Sequence, residues 1–142
     1  MFSATAAPPE NPAVIPTVSI SSNETSLTGT CHCGRIEFQL PHKPEYINEC
    51  LCTACYKYGA LWGYFPRKDV EISVKEGATH ERYFREDSDG HMSFARCSYC
   101  GVATNWQGEG EEHGKPERKM GVNMRLFERG EWEGVERRVV TK

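Results

Sequence analysis

Seven cysteines are the residues of this chain best suited to chemistry, and they come in groups: Cys31-x-Cys33, Cys50-x-Cys52-x-x-Cys55 and Cys97-x-x-Cys100. Disulfides need an oxidising compartment and favour an even count, and neither has support here. Isolated buried thiols do not explain gaps of one and two residues. Metal ligation does, because a two-residue gap forms a tight knuckle that aims both sulfurs at one ion.

Cys97-Ser98-Tyr99-Cys100-Gly101 is such a knuckle, ending in a glycine that can take the positive φ these turns often need. In Cys31-His32-Cys33-Gly34 the single-residue gap sets both thiols on one face of an extended segment. Joining that pair to Cys97 and Cys100 makes a closed four-thiolate zinc site. Spacing alone leaves open which cysteines complete the set; this is the economical allocation. Such a closure would contribute on the order of 10 kcal/mol to folding. Cys50, Cys52 and Cys55 then form a trio one ligand short, and three protein ligands with an open position are the usual composition of a catalytic zinc. The alternative is a second inert site, its fourth ligand an acidic side chain or one of His32, His42, His80, His91 and His113.

Three thiolates around Zn²⁺ leave the site anionic, which weakens the metal as an activator of water and suits it to a soft incoming thiol. Cationic neighbours would offset the charge. Lys57, Arg67, Lys68 and Arg125 are candidates, each with the alternative of an ordinary solvated charge. Tyr56 and Tyr58 could donate protons, or simply pack beside the knuckle.

The elements that must position these groups read as short strands. Period-two alternation at Ile36, Phe38 and Leu40, at Val70, Ile72 and Val74, and at Val122, Met124 and Leu126 predicts half-buried strands. No apolar period of 3.6 persists, so at most one helical turn is expected, around Thr53 to Tyr58. Gln107 to Arg118, charged and glycine-rich, predicts a solvated loop before a strand near Met120 to Phe127. Residues 1–26 hold four of the eight prolines and predict a flexible tail ahead of one domain over 27–142. A net charge of -3, with acidic and basic residues interspersed, argues against nucleic acid as a partner. No signal-peptide pattern and no run of ~20 apolar residues is present, so a cytoplasmic protein without a membrane partner is expected.

In order and spacing the chain resembles the glutathione-dependent formaldehyde-activating enzyme family, also called the GFA or centromere-protein-V domain. The resemblance rests on Gly29-Thr30-Cys31-His32-Cys33-Gly34, Cys50-Leu51-Cys52-Thr53-Ala54-Cys55 with Gly59-Ala60, Cys97 to Gly101, and Val122-Asn123-Met124-Arg125. It implies a mostly β fold, a β-tent of packed antiparallel sheets with little helix. It also implies two zinc ions per chain, a structural one on Cys31, Cys33, Cys97 and Cys100 and a catalytic one on Cys50, Cys52 and Cys55. The implied activity is that of a carbon–sulfur lyase or synthase acting on a glutathione adduct of a small electrophile such as formaldehyde. Of the candidate cations, Lys57 or Arg125 is expected to orient the anionic glutathione. The family's common pattern has histidine between the first two cysteines of the trio and often Arg-Lys after the third. Leu51 and Tyr56-Lys57 stand there instead, which points to a specialised electrophile. Two rivals stay open: a zinc Lewis-acid dehydratase or isomerase that needs no glutathione, and a non-enzymatic glutathione- or protein-binding module.

Overall fold

The computed structural model describes residues 26–141, and the expected tail lies outside these residues up to position 25. In chain order the elements are β1 (Leu27–Thr30), β2 (Ile36–Leu40), β3 (Tyr46–Cys50), α1 (Thr53–Tyr58), β4 (Trp62–Pro66), β5 (Glu71–Val74) and β6 (His80–Phe84). There follow β7 (Met92–Cys97), β8 (Ala103–Gly108), α2 (Gly110–His113), β9 (Lys119–Asn123), α3 (Arg129–Trp132) and β10 (Glu136–Val140). The strands form a seven-stranded sheet, β10-β3-β4-β9-β8-β7-β6, and a three-stranded sheet, β1-β2-β5. The expected mostly β architecture holds, with one departure from antiparallel pairing: β10 runs parallel to β3, from Glu136 opposite Tyr46 to Val140 opposite Cys50.

Alternation along the strands builds the core between the sheets. Ile36, Phe38 and Leu40 of β2 join Ile47, Phe65, Met120 and Val122 of the larger sheet in one cluster, none more than 2% exposed. Burying each such side chain contributes about 1.5–3 kcal/mol, so this layer is the main apolar support of the fold. The other face of the large sheet carries a row of residues in register across five strands: Tyr64, Gly121, Trp106, Phe94 and Tyr83. Glycine is required at the centre, because a Cβ on Gly121 would stand 2.0 Å from Trp106 Nε1.

Three expectations need correction. Val70, Ile72 and Val74 do mark a strand, but β5 is an edge strand with Ile72 37% and Val74 44% exposed, not half-buried. Val122, Met124 and Leu126 are all buried, yet the strand ends at Asn123. The Asn123 side chain accepts from the Arg125 N–H and turns the chain into a 3₁₀ turn, Met124–Leu126. The helical turn at Thr53–Tyr58 is present, and so are two others: α2, inside the expected loop Gln107 to Arg118, and α3. Among the described residues no helix is long and apolar enough to cross a membrane.

Candidate metal centres and the cysteine cleft

The turn between β1 and β2 supplies Cys31 and Cys33, the last residue of β7 is Cys97, and the turn that follows it supplies Cys100. The four sulfurs lie within 4.8 Å of one another. Tetrahedral coordination at ~2.3 Å spaces sulfurs by about 3.8 Å. Cys31 to Cys33 is 3.6 Å and Cys33 to Cys97 is 3.7 Å, so the donor set fits one zinc-sized ion. Backbone N–H groups point at the sulfurs: Ile36 donates to Cys31 at 3.3 Å, and Tyr99 and Cys100 donate to Cys97 at 3.3 and 3.5 Å. Gly34 and Gly101, both at φ +83, allow the turns to close. Burial pushes the Cys31 thiol up to about 12. Against its own slight burial, Cys33 is drawn down to about 6 by the backbone and guanidinium N–H groups of Arg35. That guanidinium also stacks on the Tyr99 ring, 4.0 Å from its centre, and so ties the two cysteine turns together.

Cys50 ends β3, Cys52 caps the N-terminus of α1 and Cys55 lies within it; these three sulfurs also fall within 4.8 Å. Local sequence explains the geometry. The Cys52 sulfur accepts from the Cys55 N–H at 3.4 Å, and Gly59 at φ 69 ends the helix after six residues. Burial pushes Cys55 up to about 12. Cys52 is also partly buried, but the Cys55 N–H, its sulfur neighbours and Arg85 outweigh that cost and bring it down to about 7. The trio opens on a cleft of about 510 Å³ walled by Trp62, Tyr64, Phe94 and Trp106. The Trp62 indole N–H is buried without a well-formed hydrogen bond, and it electrostatically favours the Cys55 thiolate. Arg85, just past β6, donates from Nη1 to the Cys52 sulfur at 3.6 Å. Tyr64 accepts from Asn48 Nδ2 at 2.8 Å, and burial holds its hydroxyl above the usual range. A soft three-sulfur donor set beside open space fits a metal with one position left for a ligand.

Among the described residues no histidine or carboxylate joins either cysteine group. Lys57 is exposed and lines an adjoining cleft of about 520 Å³, which shares Thr53, Arg85 and Asp87 with the cysteine cleft. Arg125 is exposed and lines neither cleft. Arg67 is a structural clip, donating from Nη1 to the carbonyls of Gly108 and Gly114. Tyr58 packs on Phe94 at 5.0 Å, while Tyr56 is exposed. The sequence reading missed Arg85 and Tyr64. Neither sits in a motif, and Arg85 is 33 residues from the sulfur it touches.

Two β sheets joined at a four-cysteine group, with a second cysteine group on a cleft, define a β-rich protein with two clusters able to hold metal ions. The chain belongs to the GFA family, described as glutathione-dependent formaldehyde-activating enzyme, whose pattern matches residues 26–134. Over 78 residues it is 33% identical to a Halomonas elongata protein provisionally named a glutathione-dependent formaldehyde-activating enzyme. That match covers 52% of this chain and 49% of the relative, so the chain spans about half the length of the curated relative it matches. The crystal structure of a Rhodobacter sphaeroides protein has the same fold, with a TM-score of 0.53 and 24% identity, covering 80% of this chain and 100% of that one.

Proposed function

We propose that this chain is a zinc-dependent carbon–sulfur lyase or synthase acting on a glutathione adduct of a small electrophile. In this reading Cys50, Cys52 and Cys55 hold the catalytic zinc, and Cys31, Cys33, Cys97 and Cys100 hold the structural one. The observation that carries it is the trio: three thiols within 4.8 Å on the wall of a cleft, one protein ligand short of a closed site. Bound there, zinc supplies a Lewis acid that favours the thiolate form of an incoming thiol. In the synthetic direction the thiolate sulfur attacks a carbonyl carbon, the S–C bond forms, and the π electrons move to oxygen, which takes a proton. The lyase direction reverses each change.

The chain's own groups have definite parts. Arg85 offsets negative charge at Cys52 and faces the cleft where a substrate sulfur would sit. Tyr64 accepts its hydrogen bond from Asn48, so its own proton is free to serve the carbonyl oxygen; a phenol is protonated at neutral pH, and burial shifts it further in that direction. The aromatic walls lower the polarity beside the trio and strengthen these electrostatic effects. Lys57, in the adjoining cleft, is a second cation within reach of an extended substrate, and Arg125 is left without a part. Seven free thiols suit a reducing compartment, the cytoplasm.

The test is exchange between free formaldehyde, glutathione and their hydroxymethyl adduct, followed by NMR with and without the protein. Wild type accelerates exchange and Cys52→Ser loses at least about 100-fold of that effect, as expected when the metal site is broken. Acceleration of a carbonyl or hydroxyl substrate with glutathione omitted would favour the dehydratase or isomerase. Glutathione binding without turnover of this or related adducts would favour the binding module.

A further inference from the structure

A third cleft, of about 390 Å³, shares Ser88, Met92 and Trp106 with the cysteine cleft and is lined beyond them by His91, His113, Arg118 and Lys119. We propose that these four basic side chains form the subsite for the carboxylate end of a peptide thiol whose sulfur sits at the trio. The proposal rests on the reading of the trio given above and supplies the substrate recognition that reading lacks.

Charge distribution is the first argument. A trio of thiolates is anionic and repels carboxylates, so a thiol peptide that enters sulfur first needs its carboxylates held elsewhere on separate cations. Arg118 and Lys119 are available, since neither pairs with a carboxylate among the described residues. Three acids of the flanking segments are engaged with other groups: Glu112 with Lys115, Asp87 with Arg85, and Glu109 with Arg82 and Ser93.

Preorganisation is the second. Arg67 ties the loop to the end of β8 through Gly114 and Gly108, its N–H donates to the Arg118 carbonyl at 3.0 Å, and the Lys68 N–H donates to Pro116 at 3.1 Å. Gly108 has no room for a side chain, because its Cβ would stand 2.3 Å from the His113 carbonyl oxygen. His113 is thereby seated against the strand end, with its ring 4.7 Å from that of His91. The two imidazoles line the same cleft as Arg118 and Lys119, and ring N–H donors together with cationic side chains bind carboxylate by charge-assisted hydrogen bonds.

Continuity is the third. The Lys119 ammonium lies 4.7 Å from the centre of the Tyr64 ring, and Tyr64 also walls the cysteine cleft. A ligand lying along Trp106 and Met92 therefore passes from the thiol site to the basic cleft without leaving the protein surface.

The experiment is calorimetric titration of the metal-loaded full chain, wild type and the double variant Arg118→Gln/Lys119→Met. The probes are glutathione, S-methylglutathione, whose sulfur cannot ionise, and N-acetylcysteamine, a thiol without carboxylates. Both substituted side chains are exposed, and circular dichroism checks that the fold is kept. The double variant should bind glutathione and S-methylglutathione about tenfold or more weakly and N-acetylcysteamine unchanged. Unchanged affinity for the two peptides would overturn the subsite, and so would equal weakening of all three probes. Failure of the trio reading has a different signature: wild type would bind S-methylglutathione as tightly as glutathione and would not bind N-acetylcysteamine.

Discussion

Arg85 touches the Cys52 sulfur at 3.6 Å while its remaining donors hold Asp87, so a charge from the end of β6 is fixed over a sulfur at the start of α1. Asp87 and the sulfur take different N–H groups of one guanidinium, and together they hold it over the cleft.

Replacing Arg85 with methionine keeps an unbranched apolar stem, shorter than arginine's, and removes the charge. The thiolates of the trio then lose a partner that favours their ionised form. Arg85→Met should release one metal ion to a colorimetric chelator about tenfold more readily, with the ion of the four-cysteine group retained. Identical release from variant and wild type would remove Arg85 from the site.

Tyr64→Phe deletes the hydroxyl assigned to proton transfer and leaves the ring wall intact. Turnover of the glutathione adduct should fall by about 100-fold at unchanged KM, the usual scale for losing a general acid. A rise in KM at constant kcat would instead make Tyr64 a binding group.

Gly121→Ala places a methyl group where Trp106 lies, 2.0 Å from its Nε1. The variant should lose about 1–3 kcal/mol in urea unfolding and show shifted tryptophan emission as Trp106 leaves the cleft wall. A wild-type midpoint would mean that the sheet row yields more easily than its register implies.

The parts legible in the sequence were those carried by spacing or strict alternation. Cysteine gaps foretold the grouping into four and three, and Ile36, Phe38 and Leu40 foretold a strand that faces the core. Strands β7 and β8 were opaque because Ser93, Asn105 and Gln107 occupy buried positions where alternation calls for apolar residues. They are satisfied instead by a polar chain through Asn105, Gln107 and Glu109. Strand β10 is exposed along most of its length and shows no period of two at all. Arg85 and the basic cleft depend on contacts between distant segments. The loop behind that cleft looked merely solvated because Arg67, its anchor, lies 47 residues from Gly114.

His80 supplies a pH signature. Burial lowers its pKa below the ordinary 6.5, beside the Phe38 ring and within 2.6 Å of the Thr104 hydroxyl. Above 6.5 both the folded and unfolded forms are neutral and stability is flat. As pH falls below 6.5 the unfolded chain takes up the proton first, so stability declines until the folded pKa is passed. His80→Gln should flatten that part of the dependence, read as a smaller difference in Tm between neutral and mildly acid buffer than in wild type. Parallel curves would assign the acid loss to other groups.

The zinc content per chain of protein purified without chelator, for wild type, Cys52→Ser and Cys97→Ser, tests the central claim most directly. With two cysteine groups each holding one ion, wild type carries two, and folded Cys52→Ser carries one. Cys97→Ser fails to fold, because closing the four-cysteine group is worth about 10 kcal/mol, comparable to the whole stability of a domain. One zinc in both wild type and Cys52→Ser, or two in each, would contradict a metal site built on Cys50, Cys52 and Cys55.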